Sequence, residues 1–412
     1  MQASAPSGPL APVAQGTPGV VLLSNESNVP LEPAAQTPPR PPLIEGEGED
    51  IKISEANMTK NSPAKIRLLV LGTGGMAAAH IKQFQADPRV EVTGCSDIDL
   101  ARAKKFADEH KIPHAFGSLD DAIKWGQFDA ATNVTPDSIH HPTTMKLLAA
   151  KKHVLCEKPL AENFKLADEM ATAAEKAGVI NMVNLTYRAV AGLQKAKQII
   201  ASGEIGQVRH VEASYRQSWL VGNHWGAWDK LPMWLWRLSE KHGSKGVLGD
   251  VGIHILDFTT YAIGMMPTSL QARLKTFPKA PSDKIGEYVL DANDSASMIV
   301  EFENGAQGVI HASRFMTGYG NTLRLNVFGT KGGLEIQNDH DLTTLRVCSG
   351  EDVHTQAWRD IVKTEVEPAN YKKFIDAIVA GKNGDPSFRR AADLQKILDA
   401  CYSEDASKAV KL

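Results

Sequence analysis

From about residue 64 the chain alternates short apolar runs with stretches of helical spacing. Ile66 to Leu71 stops at glycines and gives way at once to an alanine-rich helical pattern from Met76 to Gln85. Val90 to Cys95 leads to a second helical pattern, Leu100 to His110, which Asp99 caps. Pro113 to Phe116 leads to a third, Leu119 to Trp125. Asp129 to Val134 precedes a helix ending near Ala150. His153 to Cys156 precedes a helix that Asn163 caps and Gly178 stops, and Ile180 to Asn184 closes the series. Runs this short read as strands buried on both faces, and their alternation with helices predicts a parallel, doubly wound sheet.

The pattern then changes. A helix, Ala191 to Ser202, leads to Val208 to Gln217, where apolar and polar residues alternate. A tryptophan-dense loop and a helix around His254 to Ile263 follow. Ser269 to Lys275, Ser295 to Phe302, Gln307 to Arg314, Thr322 to Gly329 and Gly333 to Ile336 have strand texture, and Asn304-Gly305 marks a hairpin. Two helical patterns, Ala369 to Ala380 and Ala391 to Ser403, end the chain. This half reads as an α+β domain with a large, open, mostly antiparallel sheet.

The first turn carries chemistry. It reads Gly72-Thr73-Gly74-Gly75-Met76-Ala77, the dinucleotide fingerprint with alanine in the last place. Gly72 permits a sharp turn, Gly74 lets backbone approach a pyrophosphate, and Ala77 lets the helix lie close on the strand. The helix N-terminus offers free N–H groups to the phosphates. The next strand ends at Asp97, where a ribose-binding acid belongs. A carboxylate there repels the 2′-phosphate of NADP by up to roughly 4 kcal/mol, and half of that is a preference of about thirtyfold for NAD. Gly72, Asp97, Thr135 and the Glu157-Lys158 pair all fall at strand ends, where open α/β sheets bind ligands. The expected organisation is a Rossmann domain over residues 61–186 and a substrate-binding and oligomerisation domain over residues 187–412.

Residues 1–60 differ from the rest. Ten of the chain's 22 prolines precede residue 43. Such a segment buries too little apolar surface to offset its ordering entropy, so a disordered tail or an arm on a neighbouring subunit is expected. The net charge of −3 and the lack of a basic stripe point away from nucleic acid. No apolar run reaches membrane-spanning length. The four cysteines, Cys95, Cys156, Cys348 and Cys401, are scattered, with neither zinc spacing nor a disulfide framework. A cytoplasmic location is the simplest fit.

Three further places suggest catalysis or binding. Lys158 stands at a strand end, fixed by Pro159, where a cation stabilises developing alkoxide charge; a surface lysine is the competing reading. Asp250, His254 and Asp257 share one face if helical, and a carboxylate beside imidazole raises its pKa toward neutrality. A structural cluster and, less favoured, a zinc site compete with general acid–base work there. Trp219, Trp225, Trp228, Trp234 and Trp236, interleaved with Asn223, His224, Asp229 and Arg237, suit stacking on a sugar ring or a subunit interface.

Together these motifs resemble the glucose–fructose oxidoreductase, inositol dehydrogenase and rhizopine-catabolism (Gfo/Idh/MocA) family over residues 64–406. The pieces are the glycine turn, Thr135-Pro136 with His140, Glu157-Lys158-Pro159, Tyr187-Arg188, and Asp250-x-Gly252-x-His254-x-x-Asp257. The resemblance implies an NAD(P)-dependent oxidoreductase acting on a sugar, polyol or related hydroxy compound, and a homo-oligomer of two or four subunits. It implies catalytic Lys158, Asp250 and His254. Gly72, Thr73, Gly74, Gly75, Met76, Asp97, Thr135, Pro136, His140, Glu157, Lys158 and Arg188 are the expected cofactor contacts. Trp225, Trp236 and Arg237 join the catalytic set around substrate, with no metal. The proline-rich segment resembles the arm of the glucose–fructose oxidoreductases, whereas Asp97 departs from that NADP-binding branch. Two alternatives stay open: a non-redox sugar-processing enzyme with retained, internally recycled NAD, and a non-catalytic sugar or NAD sensor.

Overall fold

The computed structural model describes residues 65–340, 342–362 and 367–412; the arm expected at residues 1–60 lies outside them. Six strands, β1 (Ile66–Leu71), β2 (Val90–Ser96), β3 (His114–Phe116), β4 (Ala130–Asn133), β5 (His153–Cys156) and β6 (Asn181–Val183), form a parallel sheet in the order β3-β2-β1-β4-β5-β6. Helices α1 (Gly75–Gln85), α2 (Leu100–His110), α3 (Leu119–Trp125), α4 (Asp137–Ala149) and α5 (Phe164–Ala177) connect them. Their ends follow local rules. Asp99 accepts from the N–H groups of Ala101 and Arg102, Asn163 accepts from Leu166, and Gly126 and Gly178 end α3 and α5 at positive φ. Leu68, Leu69 and Val70 in β1 are fully buried, as a strand covered on both faces requires.

The rest of the chain builds a nine-stranded sheet. After α6 (Ala191–Ala201), β7 (Val208–Arg216) runs through its centre. A one-turn α7 (Pro232–Leu235) lies in the tryptophan loop, and α8 (Ile253–Ile263) follows a π turn over Leu248–Gly252. The strands β8 (Pro267–Lys275), β9 (Lys284–Ile285), β10 (Tyr288–Val289), β11 (Ser295–Phe302), β12 (Gln307–Ser313), β13 (Thr322–Gly329), β14 (Gly332–Asp339) and β15 (Leu342–Ser349) come next. Short α9 (Asp352–Thr355) and β16 (Arg359–Asp360), helices α10 (Asn370–Ala380) and α11 (Phe388–Cys401), and β17 (Val410–Lys411) complete the chain. The order is β16-β15-β14-β13-β7-β12-β11-β8-β17, with β9 and β10 as a separate ribbon. Only β7 and β12 pair in parallel; the other pairings in this sheet are antiparallel.

Burial alternates along β11, so one face of this sheet is covered and the other open. Its covered face packs on α8, which is buried almost all round. The two C-terminal helices return to the first sheet: Tyr371 of α10 lies edge-on to Phe84 and His80 of α1, and Arg389 of α11 pairs with Asp168 and Glu175 of α5. No helix among the described residues is long and apolar enough to cross a membrane.

Candidate active site

The glycine turn fits a dinucleotide. Gly72 has φ +87°, and a Cβ there would lie 2.9 Å from the Val134 carbonyl oxygen, so only glycine makes this turn without strain. A Cβ on Gly74 or Gly75 would meet nothing within 4 Å, which leaves open space before α1. No side chain caps α1, so its first N–H groups face that space, as a pyrophosphate requires. Asp97 stands beside it and accepts from the Thr73 N–H at 2.9 Å, the Thr73 hydroxyl at 2.8 Å and the Asp99 N–H at 3.0 Å. Burial opposes its charge, but Arg102 and these donors hold the carboxyl down to about 2. Met76, exposed, opens the same helix.

Strand β5 delivers Glu157 and Lys158 to the sheet's C-terminal edge. Glu157 turns inward: Oε1 accepts from His80 Nε2 at 2.7 Å and Asn184 Nδ2 at 2.6 Å, and Oε2 from the Lys158 N–H at 3.1 Å. Burial opposes ionisation, yet His80, Asn184 and Lys158 bring Glu157 down to about 2. Its carboxylate therefore ties the phosphate-facing helix to the lysine's backbone. Lys158 turns outward: Nζ donates to the Asp250 carbonyl at 2.8 Å and to Asp250 Oδ1 at 3.2 Å. Burial works against this charge, but Asp250, Asp137 and Glu157 keep the lysine above its ordinary pKa.

His140, fully buried, places Nδ1 2.8 Å from the Pro159 carbonyl and Nε2 2.8 Å from the Thr135 carbonyl. Only an imidazolium satisfies both acceptors. Against burial, Cys156, Asp137 and the Pro159 carbonyl push it up to about 10. His140 thus fixes the backbone around Thr135 and Lys158, rather than offering its ring to a cofactor. Arg188 is held in the same way. Its guanidinium is buried, with Nε 2.6 Å and Nη2 2.7 Å from the Asp257 oxygens and Nη1 on Asp385. Its donors are committed within the protein, where it serves as a clamp.

Asp257 is consumed by the same clamp, which Arg390 joins at 3.0 Å. It therefore does not meet Asp250 and His254, and the three do not converge on a zinc. The π turn adds residues to the turn holding Asp250, so Asp250 and His254 are not stacked as in a continuous α-helix. The expected rise in the His254 pKa also fails: burial first, then Lys158, outweighs Asp250 and lowers it to about 3. His254 is neutral, its buried Nδ1 has no hydrogen-bond partner among the described residues, and its ring lies edge-on to Tyr187 at 5.1 Å.

Lys158, Asp250 and His254 line one cavity of about 180 Å³ with Tyr215, Gln217, Trp219, Trp225, Trp234, Arg237 and Val251. Trp225 and Trp234 stack at 5.9 Å and 14°. Trp236 does not line the cavity; it is 36 % exposed and lies under the Arg237 guanidinium at 4.5 Å. A larger hollow of about 270 Å³ lies on the opposite face of β7, among Glu212, Ser214 and Arg216, because successive strand side chains point to opposite faces. It holds none of the residues around Lys158.

Several residues of the site escaped the sequence reading, which named Tyr187 only as part of the Tyr187-Arg188 motif. Tyr187, Tyr215, Gln217 and Asn321 form a hydrogen-bonded wall: Tyr215 and Gln217 donate to Asn321 Oδ1 at 2.6 and 2.9 Å, and Asn321 Nδ2 donates to the Tyr187 hydroxyl at 2.8 Å. Burial raises the pKa of both phenols, so they act as neutral hydrogen-bonding groups. Arg314, fully buried, donates to Asp250 Oδ2 at 3.2 Å and to the Arg237 carbonyl at 3.1 Å. Lys158 and Arg314 together hold Asp250 well below the usual carboxylate range in spite of its burial.

Comparison with known proteins shows the family. A family model described as an oxidoreductase family with an NAD-binding Rossmann fold matches residues 66–185, and the GFO/IDH/MocA C-terminal domain matches residues 193–335. A solved oxidoreductase domain protein from Kribbella flavida is 30 % identical, with a TM-score of 0.74 over 84 % of this chain and 99 % of that one. Levoglucosan dehydrogenase of Pseudarthrobacter phenanthrenivorans is 25 % identical, covering 64 % of this chain and 72 % of its own. Myo-inositol 2-dehydrogenase of Thermotoga maritima is 25 % identical, covering 68 % and 78 %.

Proposed function

The chain belongs to the GFO/IDH/MocA oxidoreductase family and carries its NAD-binding Rossmann domain, and from that premise we propose that it oxidises one carbinol of a sugar, polyol or related cyclic hydroxy compound. The observation that carries this reading is the convergence of Lys158, Asp250 and His254 on one cavity lined by tryptophans. Gly72, Thr73, Gly74, Gly75 and Met76 would hold the pyrophosphate of NAD, Asp97 its adenosine ribose, and Thr135 and Pro136 the adjoining strand-end surface. When bound, NAD supplies the hydride acceptor.

The protein's own groups do the rest. Lys158, cationic and fixed by Asp250, stabilises the alkoxide as it forms. His254, neutral and lining the cavity beside Lys158, takes the hydroxyl proton. Asp250 keeps the lysine in place and offsets the imidazolium charge. Trp225 and Trp234 offer apolar faces to ring carbons and help to exclude water. We also take the enzyme to be a cytoplasmic homo-oligomer; the free cysteines Cys95, Cys156, Cys348 and Cys401 suit a reducing compartment.

The test is a panel of sugars and polyols with added NAD, followed by NADH absorbance. Substrate-dependent NADH is expected, and Lys158→Ala and His254→Ala should each lower kcat by about 10²–10⁴-fold. Normal turnover in both variants would sink the assignment. Cofactor that copurifies with the protein, with no net NADH, would favour an internally recycled cofactor.

A further inference from the structure

Three cations surround Asp250. Its Oδ1 receives Lys158 and its Oδ2 receives Arg314, each at 3.2 Å. Arg237 is the third cation, with Nε 4.0 Å from Oδ2, beyond hydrogen-bonding distance. Its Nη1 donates to the Met233 carbonyl at 2.7 Å, while Nε and Nη2 make no hydrogen bond among the described residues. That edge is the pair of parallel donors with which a guanidinium grips a carboxylate.

The rest of Arg237 is held still. Its guanidinium lies over Trp236 at 4.5 Å and Trp234 at 5.3 Å, and its backbone carbonyl is fixed by Arg314. It lines the same cavity as Lys158 and His254, with 31 % of its side chain exposed. A carboxylate would meet both donors of that edge with its two oxygens and supply the negative charge that a neutral sugar lacks.

Resting on the dehydrogenase reading, we propose that the substrate is an acidic sugar, an aldonate or uronate whose carboxylate is bound by the Nε–Nη2 edge of Arg237 while its carbinol faces Lys158 and His254. The carboxylate pairs with a charge that Asp250, engaged by Lys158 and Arg314 at 3.2 Å, meets only at 4.0 Å. A phosphate ester can also present two oxygens to this edge, so the experiment sets the two side by side.

The experiment compares matched compounds: an aldose or polyol, the acid at the same carbon skeleton, and its phosphate ester. NADH formation and calorimetric binding to NADH-loaded protein are both measured. The acid should exceed its neutral partner in kcat/KM at least tenfold. Arg237→Met should collapse the acid-to-neutral ratio toward one, and Arg237→Lys, which keeps the charge but not the fork, should give an intermediate ratio. Neutral or phosphorylated compounds preferred by the wild type, acids that fail to bind, or variants that lower acid and neutral alike would each overturn the proposal. Acids that bind through Arg237 without yielding NADH would retire the dehydrogenase reading and keep this one.

Discussion

A histidine held neutral beside a charged lysine can accept a proton without first having to lose one. His254 is in that state because burial and Lys158 lower it to about 3. Lys158 remains charged because Asp250, Asp137 and Glu157 outweigh its own burial. The pair is therefore set for alkoxide formation across the whole neutral range. The expected kcat/KM profile has no acid limb near the ordinary histidine value of 6.5; a fall due to His254 should appear only toward pH 4 and below. Initial rates from pH 4.5 to 8, with stability checked at each pH, test this. A limb centred near 6.5 would mean that His254 titrates as a solvated imidazole and that the insulation argued here is absent.

At the scale of one element, the glycine turn separates two uses of the same residue type. Gly72→Ala meets both positive φ and backbone at 2.9 Å, so it should lower stability by about 1–3 kcal/mol before any cofactor is added. Gly74 has φ −79° and open space ahead of it, so Gly74→Ala should fold normally and lose NAD affinity, because its methyl projects where the phosphates lie. Thermal unfolding of the apo proteins and fluorescence titration with NADH separate the two; equal apo stability would refute the argument for Gly72. This turn was legible in the sequence because one local rule governs each residue, and so were the caps at Asp99 and Asn163. Strand β15 was not, because Thr343, Thr344 and Arg346 alternate weakly and pair only once β14 is in place. The clamp at Arg188 was not legible for a related reason: its partner Asp257 lies 69 residues away. Arg314 and Asn321 carry no motif, and their roles appear only when β12 and the loop before β13 reach Asp250 and Tyr187. The wrong direction for His254 came from counting the adjacent acids and not the burial that the nine-stranded sheet imposes.

Across the whole molecule, buried charge ties the two sheets together and makes folding pH-sensitive on both sides. The clamp of Arg188, Asp257 and Arg390 joins the segment after β6 to α8 and α11, and the side chains of Arg188 and Asp257 are 2 % and 3 % exposed. Asp257→Ala removes the carboxylate that two arginines share and leaves Arg188 only Asp385, which should cost about 3–5 kcal/mol, read as a lower urea midpoint; a change below ~1 kcal/mol would show that water solvates the clamp. The pH response follows from four other groups. His254 binds its proton more readily unfolded than folded, so stability declines as pH falls from 6.5 toward about 3. Glu157 and Asp97, both lowered to about 2, contribute stability that is present above their ordinary values of 4.5 and 3.8 and is lost as pH falls toward 2. His140, raised to about 10, has the opposite sense: its contribution is complete below 6.5 and disappears as pH rises through 10. The sum places maximum stability near pH 6–7, with decline in both directions. Urea midpoints at pH 5, 6.5 and 9 should peak at the middle value, and His140→Gln should flatten the alkaline side while leaving the acid side in place. A midpoint still rising at pH 9 in the wild type would mean that His140 is not the doubly donating imidazolium its two carbonyl partners require.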